Sequence, residues 1–198
     1  MKYETAKLED LCTIKTGAPI GRAKKAADAE NALDARVLIP RAMSGGSILE
    51  EELVTERVGG VKEDFFTKMG DVIIKLSTPH DSIYIDEDHE GILVTSFGMI
   101  LRVKKGKPLS MRYLSMFLNH PRTLSSLQAS STGMGAGMTV LKRRTIAAVS
   151  VPLLPMEQQE SLADLYFAVN ARNHEYLKLI GLGEELVASQ LSEILGKE

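Results

Sequence analysis

The side chains that could do chemistry in this sequence are few and poorly grouped. His80 and Asp81 are adjacent in the run STPHDS, where a histidine and a carboxylate could act as an acid–base pair. An adjacent His-Asp is more often a hydrogen-bonded loop, and no GxSxG nucleophile motif accompanies it. His89 lies in the acidic run 86–90 without a second histidine nearby, so an acidic, solvated turn is favoured over a metal site. We therefore expect a protein that is not an enzyme, and an enzyme using His80 and Asp81 remains an alternative.

Two other motifs could bind an anion. The run GMGAG at residues 133–137 lacks the third glycine of the dinucleotide fingerprint and the Gly-Lys-Ser/Thr of a P-loop. A flexible turn is the favoured interpretation, although its bare backbone could also approach a DNA phosphate. Lys142, Arg143 and Arg144 follow this loop. They could contact phosphate or cap helix carbonyls, and the sequence favours neither.

Charge is unevenly distributed along the chain, although the net charge is only −2. Residues 91–156 contain no Asp or Glu, whereas residues 1–90 carry 12 basic and 18 acidic residues, and residues 157–198 carry 3 and 8. A basic middle between acidic ends indicates a polyanion-binding face, and a chance asymmetry on a solvated surface is equally compatible with it. The basic residues of the middle are Arg102, Lys104, Lys105, Lys107, Arg112, Arg122, Lys142, Arg143 and Arg144.

Length and composition predict one soluble domain with an appendage. The chain has 198 residues, of which 44% are hydrophobic and 25% charged. No apolar run approaches the roughly 20 residues that cross a bilayer, and the polar, acidic N-terminus is unlike a signal peptide. Cys12 is the single cysteine, which excludes an internal disulfide and a cysteine zinc cluster. We expect a cytoplasmic protein without a membrane contact.

Short strands and short helices alternate in the first three quarters of the sequence. A turn at Gly70-Asp71 precedes a predicted buried strand at 72–76, followed by predicted strands at 82–86 and 91–103, the last broken at Gly98. Two short helices are predicted after Ser110, separated by Pro121. These patterns predict an α+β fold with a mixed or antiparallel sheet in a domain spanning residues 1–155.

The final segment, residues 156–198, predicts one long helix around which the chain is organised. It contains no proline, Pro155 precedes it, and Glu157 and Glu160 lie in its first turn. Such a helix is roughly 58 Å long, whereas the domain should be only about 30 to 40 Å across, so the helix must project and needs a partner helix. The predicted partner stripe consists of Leu162, Leu165, Val169, Tyr176, Ile180, Val187 and Leu191, and Ile194 continues it.

Three passages of the chain resemble one known family. They are LEDLCTIKTG, KMGDVIIKLS and, most specifically, MTVLKRRTIAAVSVPLLPMEQQESLADLY. The last passage resembles the end of a target recognition domain in the specificity subunit of type I restriction–modification enzymes, where a small loop and a short helix lead into a long helix. The residues that carry this resemblance are Ile146, Val151, Pro152, Pro155, Gln158 and Gln159.

The resemblance implies sequence-specific recognition of double-stranded DNA without catalysis. A methyltransferase subunit would supply adenine methylation from S-adenosylmethionine, and a restriction subunit would supply cleavage driven by ATP with Mg²⁺, so this chain would hold no cofactor. The alternative is a stand-alone dimeric DNA-binding regulator or antirestriction decoy. Copurification with a methyltransferase would distinguish the two.

This chain departs from the family pattern in having one recognition domain and one long helix, where full subunits resemble two of each in tandem. The stripe then predicts a homodimer through antiparallel C-terminal helices, which would read a bipartite palindrome. Gly181 and Gly183 also interrupt the helix, each at a cost of about 1 kcal/mol relative to alanine. They indicate either a kink or a close helix crossing.

The candidate DNA-binding residues come from the basic runs and the loops. Cationic candidates for phosphates or base edges are Lys24, Lys25, Arg41, Lys75, Lys142 and Arg143. Loop candidates are Ser44, Ser77, His80, Met134, Met138 and Thr139.

Overall fold

A four-stranded antiparallel sheet with helices on one side forms the centre of the molecule. The computed structural model describes residues 3–25, 32–130, 132–133 and 139–196. Its strands are β1 (Thr5–Lys7), β2 (Cys12–Thr16), β3 (Leu33–Leu38), β4 (Met43–Ser44), β5 (Ser47–Ile48), β6 (Val54–Val58), β7 (Val72–Lys75), β8 (Ser82–Tyr84), β9 (Leu93–Val94), β10 (Gly98–Val103), β11 (Thr132–Gly133), β12 (Thr139–Val140) and β13 (Ser150–Pro152). Its α-helices are α1 (Leu8–Leu11), α2 (Ile20–Lys25), α3 (Met111–Asn119), α4 (Pro121–Ala129), α5 (Arg143–Ala147) and α6 (Met156–Leu195).

The central sheet has the strand order β2-β10-β7-β8. All four residues of β7 are buried, as the β-branched run after the turn at Gly70 predicts, and Gly70 adopts a φ of +86° in that turn. Helices α3 and α5 pack against this sheet. The main core lies between the sheet and these helices, and Leu101, Leu114 and Ile146 are among its fully buried members.

The predicted strand at 91–103 is two strands in two different sheets. β9 pairs in parallel with β3 in a three-stranded sheet, whereas β10 pairs antiparallel with β2 and β7. Gly98 begins β10, and a Cβ there would lie 3.2 Å from Cγ1 of Val94 and 3.3 Å from Cγ2 of Ile73. The chain therefore changes sheet at a tightly packed site, where a larger residue would push against Val94 and Ile73.

The two short helices after Ser110 form as predicted. The Ser110 side chain accepts a hydrogen bond from the Tyr113 amide at the start of α3, and Pro121 occupies the first turn of α4. Together with the sheets and the long terminal helix, they confirm the predicted α+β fold.

Gln159 attaches the first turns of the long helix α6 to the domain. Its side chain is fully buried, accepts a hydrogen bond from the Ser110 amide at 2.9 Å, and donates to the carbonyls of Pro108 and Leu154 at 3.0 and 2.8 Å. Ala163, one turn further, is also fully buried. The glutamine that the family resemblance singled out thus holds α6 against the start of α3.

The second half of α6 extends beyond the domain. The helix spans 40 residues, a length of about 60 Å, and the described side chains after His174 are exposed. It stays α-helical through Gly181 and Gly183, and a Cβ built at either glycine has no atom of the described chain within 4 Å. A close crossing with this chain's own domain is therefore excluded among the described residues. None of the described helices is long and apolar enough to span a membrane.

Candidate nucleic-acid interface

Several loops meet at one end of the central sheet. Ser77, just after β7, forms an isolated antiparallel bridge with Val140 of β12. The Leu141 amide donates to the Leu76 carbonyl at 2.9 Å. The loop after β7 is therefore joined to the segment that follows the glycine-rich run, although Ser77 and Val140 are 63 positions apart in sequence.

Two further segments complete this end of the sheet. The amide of Leu76 donates to the Phe97 carbonyl at 2.8 Å, and the Ser96 amide donates to the Ala18 carbonyl at 2.8 Å. A Cβ on Gly17 would lie only 2.3 Å from the Thr95 carbonyl oxygen, so this crossing requires glycine. Segments 17–19, 76–80, 95–98 and 139–142 thus form one surface, which we call the loop cluster.

The basic run Lys142–Arg144 lies at the edge of the loop cluster. Lys142 is the exposed N-cap residue of α5, and its side chain makes no capping hydrogen bond. Arg143 is exposed and donates from Nε to the Ile14 carbonyl of β2 at 3.1 Å, which orients its side chain along the edge strand. Neither side chain forms an ion pair with a described carboxylate, so both charges are available to an anion.

Lys75 was predicted to contact DNA, and the structure places it inside the fold instead. Its side chain is 7% exposed, and Nζ lies 3.0 Å from Oδ2 of Asp81 and 3.1 Å from the Met43 carbonyl oxygen. These two contacts of a buried ammonium join the loop after β7 to β4, and removal of either charged partner would leave the other charge unpaired. Ser44, which follows Met43 in β4, has an exposed side chain.

His80 is likewise buried, with 3% of its surface exposed. Its Nδ1 lies 3.3 Å from the Lys75 carbonyl oxygen, and burial lowers the pKa of the imidazole below its ordinary value of 6.5. Asp81 is bound by the Lys75 ammonium. The side chains of His80 and Asp81 are therefore built into the folded loop, and His80, one of the loop candidates for a DNA contact, lies below the surface.

Cys12 and His89, two further reactive side chains in the described part of the chain, are also held by contacts within the fold. Burial raises the pKa of the Cys12 thiol to about 12, an effect that Lys104 opposes only in part, so the thiol stays protonated. His89 contacts Glu50 at 2.8 Å through Nε2 and Asp86 through Nδ1. The described residues contain no group of three His, Cys, Asp or Glu side chains that could hold a metal ion.

Acidic neighbours neutralise two of the other cationic candidates. Lys24 of α2 forms an ion pair with Glu56 at 2.6 Å, and Arg41 pairs with Glu52. Both side chains are exposed, so these pairs are weak and DNA could displace them. Lys25 ends α2.

Three loop candidates lie wholly or partly outside the described residues. Met134 and Met138 are outside them. Thr139 is described as the first residue of β12, which pairs with β11. Its backbone therefore belongs to the strand that reaches the loop cluster.

The acid-free stretch carries fewer available charges than the sequence suggested. Arg102 binds Asp71 at 2.8 and 3.0 Å, Lys104 donates to the Glu9 carbonyl at 2.5 Å, and Arg112 pairs with Asp164 at 2.5 Å. These three basic residues support the fold. Among the described residues, those of the stretch that form no ion pair are Lys104, Lys105, Lys107, Arg122, Lys142, Arg143 and Arg144. Arg122 and Arg144 were outside the candidate set, although the absence of acidic residues around them was visible in the sequence.

Comparison with known proteins identifies the fold. No protein-family model and no curated protein matches the sequence. A chain from a structure of the type I R-M system, concerned with its complex assembly and conformational transition, matches with a TM-score of 0.64 and 14% identity over 98% of this chain and 45% of that chain. The S subunit of the type I restriction-modification system from M. genitalium matches with a TM-score of 0.54 and 10% identity over 94% and 44%.

A third solved structure agrees with these two. The HsdS subunit from Thermoanaerobacter tengcongensis matches with a TM-score of 0.54 and 12% identity over 86% of this chain and 38% of that chain. The present chain thus spans less than half the length of each of these structures. It has the fold of these type I restriction–modification specificity subunits, with one α+β domain followed by one long helix, α6.

Proposed function

We propose that this chain recognises DNA for a type I restriction–modification system and directs methyltransferase and restriction subunits to a bipartite target. The observation that carries the proposal is the fold that it shares, over 98% of its length, with a chain of such a system. Lys142 and Arg143 support it, because both are exposed cations at the edge of the loop cluster.

The loop cluster is the surface that would face DNA. Lys142 and Arg143 would contact phosphates and fix the position of the domain on the duplex, and they carry no sequence information themselves. Base edges would be read by loop side chains near Ser77 and Thr139, which the bridge between Ser77 and Val140 brings to one end of the sheet. Lys75 and His80 would support these loops from within.

The projecting half of α6 is the proposed dimer contact. Tyr176, Ile180, Val187 and Leu191 are 53–58% exposed on one side of the helix. Fully burying a large apolar side chain contributes about 1.5 to 3 kcal/mol, so these residues favour a partner helix. A second copy of this chain, packed antiparallel, would cover the stripe and place one recognition domain at each end.

The chemistry in this proposal belongs to the partner subunits. The methyltransferase would bind S-adenosylmethionine, and the restriction subunit would bind ATP and Mg²⁺. This chain would contribute recognition and a helix of about 60 Å that sets the distance between the half-sites.

A binding experiment with the reconstituted methyltransferase tests the proposal. We expect duplex DNA to bind with a log–log salt slope of about −0.9 for each phosphate neutralised, and Lys142→Ala with Arg143→Ala to make that slope shallower by up to about 1.8. Lys105→Ala with Lys107→Ala is the matched control, because these two exposed lysines follow the opposite end of β10 from the loop cluster. Failure of the assembled complex to bind any duplex would refute the proposal, and salt-dependent binding without any methyltransferase partner would favour a stand-alone regulator or decoy.

A further inference from the structure

A second positively charged surface lies between α4 and α5. It is a cleft of about 660 Å³, and Arg122 and Arg144 are the charged residues that line it. Serine and threonine hydroxyls make up much of the remaining wall, including those of Thr123, Ser126 and Thr145. Among the described residues, the lining contains no carboxylate.

Neither guanidinium in this cleft is neutralised within the described part of the chain. Arg122 and Arg144 form no ion pair with a described carboxylate, whereas Arg112, in the helix before α4, is held by Asp164. The surrounding sequence, residues 91–156, supplies no acidic side chain at all. Two unpaired cations in one concave surface raise the local concentration of anions.

The chemistry of the lining fits phosphate oxygens. A guanidinium presents paired N–H donors that match two phosphate oxygens, and hydroxyl groups add further donors. Arg122 and Thr123 also lie in the first turn of α4, a nine-residue helix whose N-terminal end carries a partial positive charge. The N–H and O–H donors and the positive end of the helix both favour an anionic phosphodiester, bound through two of its oxygens, over a neutral ligand.

The position of the cleft points to the DNA backbone as the source of that phosphate. Lys142 is the N-cap residue of α5 and Arg144 lies in its first turn, so the start of this helix places one cation in the loop cluster and another in the cleft. Each DNA strand presents a phosphate for every 3.4 Å of helix axis, and a strand that passes the loop cluster can therefore continue into the cleft.

We propose that Arg122 and Arg144 form a phosphate clamp on the DNA backbone beside the half-site that the loop cluster reads. This inference rests on the proposed DNA-binding function and adds a contact outside the residues assigned to it. The clamp binds all sequences equally, because it touches only the backbone. It increases affinity and fixes the rotation of the domain on the duplex.

The test compares the salt dependence of binding between two charge-matched double variants of the full chain, with its methyltransferase present. The probe is a random-sequence duplex of about 30 base pairs, and Arg122→Gln with Arg144→Gln should give a log–log slope shallower by about 1.8. Lys105→Gln with Lys107→Gln removes the same charge elsewhere and should leave the slope unchanged. Arg144→Gln alone, expected to reduce the slope by about 0.9, provides the measurement if the double variant unfolds.

The outcomes separate this proposal from the proposed function. Equal slopes for the wild-type protein and the cleft variants overturn the clamp alone, because the wild-type protein still binds DNA. Absence of wild-type binding to any duplex overturns the DNA-binding function itself. A cleft variant that binds DNA normally but no longer copurifies with the methyltransferase would assign the cleft to an acidic protein surface and would also overturn the clamp.

Discussion

Lys75 shows how a charged residue can support the loop cluster from below it. Its ammonium is buried against the Asp81 carboxylate and the Met43 carbonyl, so it joins the loop after β7 to β4. From the sequence alone, a lysine in a loop-proximal strand is indistinguishable from a phosphate contact. Its burial depends on segments 32 residues apart meeting in the fold.

Lys75→Met should destabilise the protein, because it leaves the largely buried Asp81 carboxylate without its partner. Removing one member of a buried ion pair typically costs about 3 to 5 kcal/mol. Urea unfolding of Lys75→Met, Asp81→Leu and the double variant measures this free energy. We expect the double variant to recover part of the loss, and a fully stable Lys75→Met protein would contradict the structural role.

His80 gives the stability of the fold a dependence on pH. Its native pKa lies below the ordinary 6.5, because burial disfavours the charged imidazole. As the pH falls, His80 is therefore protonated at a higher pH in the unfolded chain than in the folded protein. The free energy of unfolding that is present above about pH 6.5 is lost as the pH falls toward the native pKa. Unfolding free energies at pH 7.5 and about 5.5 should differ less in His80→Asn than in the wild-type protein. An identical loss in both would show that other groups cause the pH dependence.

The crossing of segments 17–19 and 95–98 is the element-scale feature that shapes the loop cluster. Gly17 is placed so close to the Thr95 and Val94 carbonyls that a Cβ would lie 2.3 and 2.5 Å from their oxygen atoms. The Ala18 carbonyl then accepts from the Ser96 amide. Both the connection after β2 and the connection before β10 depend on this approach.

Gly17→Ala should therefore force a backbone shift and destabilise the protein by about 1 to 3 kcal/mol. Gly21→Ala is the matched control, because a Cβ at Gly21 has no described atom within 4 Å and alanine favours the helix α2. Thermal unfolding should show a lower midpoint for the first variant and an equal or higher midpoint for the second. Equal midpoints for both would argue against the close crossing.

Elements with a local signal were predictable from the sequence. The strand after Gly70, the short helix after Ser110 and the long helix after Pro155 each follow from a pattern of neighbouring residues. The division of 91–103 between two sheets was missed, because it is decided by pairing with distant strands. The arginine cleft was missed for the same reason, since α4 and α5 meet only in the fold.

At the scale of the whole molecule, α6 presents an apolar surface that its own domain leaves uncovered. The described side chains after His174 are exposed, and large apolar residues continue to Ile194 and Leu195, which are 68% and 76% exposed. Gly183 lies on the same side of the helix as Ile180 and Val187, by the rotation of 100° per residue. A partner helix could approach closely at that glycine.

Ile180→Asp with Val187→Asp should convert the proposed homodimer into monomers, because charges cannot be buried in the apolar contact without a large cost. Light scattering at micromolar concentration measures the mass. Ser189→Asp with Ser192→Asp is the matched control, since these exposed serines lie on the opposite side of the helix and should leave the dimer intact. A monomeric wild-type protein would contradict the proposed dimer.

The central claim is that this chain chooses the DNA sequence that a methyltransferase modifies. Long-read sequencing of the host methylome, with the gene present, deleted and restored, measures this directly. We predict that one bipartite, palindromic adenine-methylation motif disappears on deletion and returns on restoration, because a two-fold dimer reads the same half-site twice. A methylome that is unchanged by the deletion would contradict the claim.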